Sequence, residues 1–96
     1  MVMARSSGPF ELGRVVATPA AISAFEASGE QVADYLKRHA NRDWGDVNEA
    51  DKKLNDDDVD GGGRILSAYL LKSGTRIWIV TESDRFLTTA LLPEEH

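Results

Sequence analysis

Cysteine is absent from the 96 residues. That removes disulfide staples, thiolate nucleophiles and every zinc or iron–sulfur site built on thiolates. Histidine is nearly absent too, with only His39 and His96, so a histidine-rich metal site would need carboxylates at most of its positions. No cofactor-binding signature replaces it, and no cofactor or metal is expected. No apolar run approaches the length of a membrane span, and the opening "MVMARSSGPFELG" carries one Arg and no apolar block of secretory length. No signal peptide and no membrane contact are expected, which points to a cytoplasmic protein.

A basic stripe is also lacking. The net charge is −5, and residues 41–60 hold all of it: Asp43, Asp46, Glu49, Asp51, Asp56, Asp57, Asp58 and Asp60 face only Arg42, Lys52 and Lys53. The rest of the chain is balanced, so nothing tracks a phosphate backbone and duplex DNA is not an expected partner. An acidic segment of this kind suits a basic protein partner, or a surface that imitates nucleic acid; otherwise it is a solvated face.

The length and the 42% apolar content fit one modest core. A flexible leader is expected over 1–11 and a single domain over 12–96. "LGRVVATP" reads as a short strand, Val15 to Ala17, stopped by Thr18-Pro19. Thr18 is then an N-cap with Pro19 at the first helical position, and this helix turns Ala21, Ile22, Ala24 and Phe25 inward before ending near Ser28-Gly29. A second helix is expected at once, with Ser28 and Gln31 as a capping box and Val32, Tyr35, Leu36 and Ala40 as its apolar stripe, His39 at the stripe's edge. A third helix, lid-like, is predicted from Asn48 to about Asp57 on Ala50 and Leu54.

From Arg64 the pattern turns to β. "RILSAYLL", "TRIWIVT" and "FLTTALL" are separated by "KSG" and "ESDR", short enough for hairpins. The spacing predicts a three-stranded antiparallel meander in which Ile77 and Ile79 face opposite to Trp78 and Val80. The N-terminal strand is a candidate fourth member of this antiparallel sheet, and two or three helices pack on one face. The fold class is α+β.

"NDDDVDGGG" places Asp56, Asp58, Asp60 and Gly61 at the first six positions of an EF-hand loop. The twelfth position, where a bidentate Glu belongs, is Ser67, and the residues that follow read as a strand rather than an exit helix. The segment is therefore expected to be an acidic connector without calcium.

The blocks "LGRVVATPAAISAFE", "RHANRDWGD", "ADKKLND" and "GGRILSAYLLKSGTRIWIVTESDRFLTTALLPEEH" resemble a family of small uncharacterised bacterial proteins. These are often called plasmid-related, or mislabelled as restriction-enzyme subunits, and their pattern runs LGxxVATPGA, RHxxGDWGD, N, GGRLLSAY and WIITEADRSxTTxLLPEEY. The resemblance covers about residues 12–96 and implies a mobile-element or defence context, without an established activity. The chain departs from the pattern at Arg42, where the family has Gly, at Phe86 and at His96.

Two functions fit these residues. In one, His39, Asp43 or Glu82, and Arg85 converge as base, acid and phosphorane-stabilising cation of a metal-independent ribonuclease or toxin-like enzyme. In the other, a non-catalytic interaction module engages a protein partner through Trp44, Asp46, Asp56, Asp57, Asp58 and Asp60, as an inhibitor of a host nuclease would. The acidic balance favours the module, because a free nuclease must attract a polyanion. A monomer or weak dimer is expected.

Overall fold

The computed structural model describes residues 10–96. Strand β1 (Arg14–Ala17) leads into three helices, α1 (Pro19–Ser28), α2 (Val32–Ala40) and α3 (Glu49–Gly61). Strands β2 (Ile65–Leu70), β3 (Arg76–Thr81) and β4 (Leu87–Leu91) follow, and a short 3-10 turn, η1 (Pro93–Glu95), closes the chain. The sheet order is β1-β4-β3-β2. This is the expected α+β fold with helices on the sheet.

The C-terminal meander is antiparallel, with Ile79 opposite Ser67 on one side and Ala90 on the other. The fourth strand differs from expectation, because β1 joins β4 in parallel, Val16 opposite Thr89. The helical segment returns the chain to the starting end of the sheet before β2 begins. Two hairpins then reverse it twice, leaving β4 running as β1 does.

Local chemistry explains most element ends. The Thr18 hydroxyl accepts from Ala21 N–H (3.1 Å), Pro19 opens α1, and Gly29 closes it in the left-handed region at φ 69°. The expected capping box does not form. Gln31, not Ser28, is the N-cap of α2 and makes no side-chain cap. Ser28 instead donates to Glu30, whose carboxylate also accepts from the Tyr35 hydroxyl (2.5 Å) and from Lys72 N–H (2.8 Å). These bonds, led by Ser28, hold the Glu30 carboxyl down at about 2 and tie the α1–α2 turn to the β2–β3 turn.

Phe25, Ala21, Tyr69, Leu71, Ile77, Ile79 and Ala90 form the core beneath α1 and α2, joined by Val32, Tyr35 and Leu36. Trp78 and Val80 point to the opposite face, as strand alternation requires. There the His96 ring stands on Trp78 at 5.3 Å, edge to face. No helix among the described residues is long and apolar enough to cross a membrane.

Residues 1–9 of the expected leader lie outside the described residues. Phe10, by contrast, is part of the folded body: its N–H donates to Ala40 O (3.1 Å), and its ring packs on His39 (5.2 Å) and Trp44 (5.8 Å).

Helix α3 is longer than its expected span and is held differently. Leu54 is 57% exposed, while Asn55 is buried and reaches the outer edge of β2, donating to Leu66 O (2.8 Å) and accepting from Leu66 N–H (3.2 Å). The amide acts as one residue of a further strand. Trp44 O and Asp46 N–H continue this cover by bonding Ala68 N–H (3.1 Å) and Ala68 O (2.6 Å), so the β2 edge is masked. Gly45 sits between them at φ 73°, where a Cβ would lie 2.1 Å from Ala68 O. Only glycine fits there.

Candidate functional site

One helix position, His39, and three strand positions, Ser67, Thr81 and Thr88, meet inside the protein. His39, at the end of α2, is fully buried. Its Nδ1 lies 2.5 Å from Ser67 Oγ on β2 and its Nε2 lies 2.8 Å from Thr81 Oγ1 on β3. Thr81 Oγ1 is 2.7 Å from Thr88 Oγ1 on β4, and Thr88 Oγ1 is 2.7 Å from Leu12 O. Ser67, Thr81 and Thr88 are themselves fully buried.

The proton positions in this chain follow from its last member. A carbonyl only accepts, so Thr88 donates to Leu12 and its oxygen must accept from Thr81. Thr81 has then used its proton and accepts from His39, which fixes the neutral Nε2–H tautomer, and Nδ1 accepts from Ser67. Every buried polar atom of the chain is thereby satisfied.

Burial, and secondarily the Arg85 cation, push the imidazole down to about 3. Since both ring nitrogens are engaged and the ring is sealed by Phe10 and Trp44, His39 is neutral near pH 7 and cannot touch a substrate.

The other three members of the expected catalytic set are dispersed. Arg85 lies at φ 63° in the β3–β4 turn. Its Nη1 donates to Gly63 O (2.6 Å) and Glu82 O (3.1 Å), and its Nη2 to Asp58 O (2.6 Å). It caps the C-terminal end of α3, where four aspartates oppose the helix dipole and the last turn holds no basic residue to offset them. Glu82 pairs with Arg64 (3.2 Å) at the surface. Asp43 pairs with Arg38 (2.7 Å), which lowers its carboxyl from the usual range, and its backbone oxygen accepts from the Tyr69 hydroxyl (2.6 Å). Among the described residues no hydrogen bond joins the side chains of any two of His39, Asp43, Glu82 and Arg85; Arg85 reaches only the backbone oxygen of Glu82.

The expected partner-binding residues divide. Trp44 is a core plug, 4% exposed, whose indole donates to Asp56 Oδ1 (3.0 Å). Asp58 lies against Gly63, and Asp46 pairs with Arg76 (2.9 Å). Asp57 and Asp60 are exposed. Residues 56–60 are helical rather than looped, so Asp56, Asp58 and Asp60 do not present the wrapped oxygen set of an EF-hand.

Sequence reading placed neither Phe10 against His39 nor Asn55 on the β2 edge, and it did not join Ser67, Thr81 and Thr88 to His39 as hydrogen-bond partners. One signal was available for the hydroxyls: Ser67, Thr81 and Thr88 occupy inward positions of strands whose other inward residues are apolar.

The "RHANRDWGD" block thus reads as a docking device. His39 enters the hydroxyl chain, Asp43 binds Tyr69, Trp44 plugs the core and Gly45 meets β2. Arg42, where the resembled family has Gly, sits at φ 69° with its Nε buried and unpartnered. Compared with known proteins, the chain matches no family model, no curated protein and no solved structure.

Proposed function

We propose that this chain is a cytoplasmic, non-catalytic protein-interaction module of the mobile-element or defence context that its resemblance to the plasmid-related family implies. Its partner is a protein with a basic surface, such as the nucleic-acid channel of a host nuclease. The observation that carries this reading is the occupation of the candidate catalytic groups: His39 is sealed within hydroxyls, and Arg85 is spent on backbone carbonyls. The outer face of α3 is available to a partner, with Asp57 and Asp60 exposed, while Asp56, also exposed, accepts from the Trp44 indole and Asp58 lies against Gly63.

Exposed charges of this kind steer association and are screened over about 10 Å at 0.1 M salt. The test is affinity capture from a bacterial host lysate with the wild-type chain and with a variant carrying Asp57→Asn and Asp60→Asn. A basic protein retained by the first at low salt and lost with the second supports the reading. Cleavage of single-stranded RNA by the purified chain in the presence of EDTA, abolished by His39→Ala, would replace it with the ribonuclease.

A further inference from the structure

The two edges of the sheet are treated differently. On β2 the outward groups of Leu66 and Ala68 are taken by Asn55 and by residues 44–46. Along β1 the N–H groups of Arg14 and of Thr18, just past its end, bond Phe86 O (2.9 Å), just before β4, and Ala90 O (3.0 Å) on β4, so those of Val15 and Ala17 point away from the sheet. Val15 is 42% and Val16 37% exposed. An edge that no described residue covers, flanked by exposed valines, is a template for another strand.

We propose that the β1 edge pairs with β1 of a second copy of this chain, antiparallel about a two-fold axis at Val16. The inward and outward alternation of β1 selects this register. Val15 faces Ala17 of the other copy, and each pair exchanges N–H and C=O groups that no described residue uses. Val16 meets its own counterpart at the axis, where neither strand offers outward polar groups. Arg14 then stands beside Thr18 of the other copy on the face opposite α1.

Charge complementarity commits this edge to a second copy. The Thr18 hydroxyl donates to Glu95 Oε1 at 2.8 Å, which fixes the Glu95 carboxylate beside Thr18 on that face. Among the described residues neither Arg14 nor Glu95 has an ion-pair partner within its own chain. The two-fold register brings each Arg14 to the other copy's Glu95, twice. Pro19 has no N–H to extend the ladder, so the pairing is short and the dimer weak.

The test is sedimentation of the full chain from the micromolar to the millimolar range. Val15→Pro deletes an N–H that β4 does not use, so it leaves the circular dichroism of the monomer unchanged while abolishing the dimer. Arg14→Glu and Glu95→Arg each weaken dimerisation by about tenfold through like-charge opposition, and the double variant restores it. A chain that stays monomeric throughout the range overturns the proposal, as does a dimer that survives both the proline and the single charge reversals.

Discussion

Acidification from about pH 7 to about pH 5 should cost this protein about 2 kcal/mol of stability through His39 alone. In the unfolded chain the imidazole titrates near 6.5, whereas in the fold burial holds it down at about 3. Between those values the unfolded state binds a proton that the folded state refuses. Stability is therefore complete above the unfolded value and falls as pH drops below it, by up to about 1.4 kcal/mol per pH unit. Glu30 and Asp43 also titrate below their ordinary values, but their contribution is lost only at lower pH, near and beneath the normal carboxylate range. The window between about 5 and 7 thus isolates the histidine.

Urea unfolding at several pH values in that window measures the slope directly. His39→Gln should lower stability at neutral pH and flatten the profile. Nitrogen shifts of the imidazole in the folded protein should report the neutral Nε2–H form throughout. A flat wild-type profile, or an imidazole that titrates near its ordinary value in the folded state, would refute the sealed hydroxyl chain.

Arg85→Ala removes the guanidinium from the carbonyls of Asp58 in α3 and Gly63 just past it, both at 2.6 Å, and should cost about 2–3 kcal/mol in urea unfolding, with amide exchange rising first in residues 56–63. Arg42→Gly should instead raise stability by about 1 kcal/mol, because it relieves a left-handed backbone at a non-glycine residue; a melting temperature that falls would show that the Arg42 side chain contributes packing.

The meander and α1 were legible because their signals are local: "KSG" is short enough only for a hairpin, and Thr18-Pro19 with Gly29 writes both ends of a helix into adjacent residues. The parallel union of β1 with β4 was not, since it depends on where three helices deliver the chain. Leu54 and Asn55 show the limit of hydropathy in another way. The apolar residue points outward and the amide inward, because the edge of β2 offers a donor and an acceptor rather than an apolar surface. Ser28 and Gln31 have the spacing of a capping box, but the better partner for Ser28 is the Glu30 carboxylate, which also recruits Tyr35 from the next helix and Lys72 from a distant part of the chain. His39 could be placed on its helix but not inside its cage, as its partners Ser67 and Thr81 come from two strands separated from it by tens of residues.

The hydroxyl chain has one further property. Ser67, His39, Thr81 and Thr88 could pass their protons in either direction, much as neighbouring molecules in ice can, were it not for Leu12 O at one end. A single carbonyl in the segment before β1 removes that degeneracy for every member. The orientation of a hydroxyl on β2 is thereby set by the docking of a residue 55 positions earlier in the chain, and losing that dock would leave the same atoms in contact but their polarity undecided.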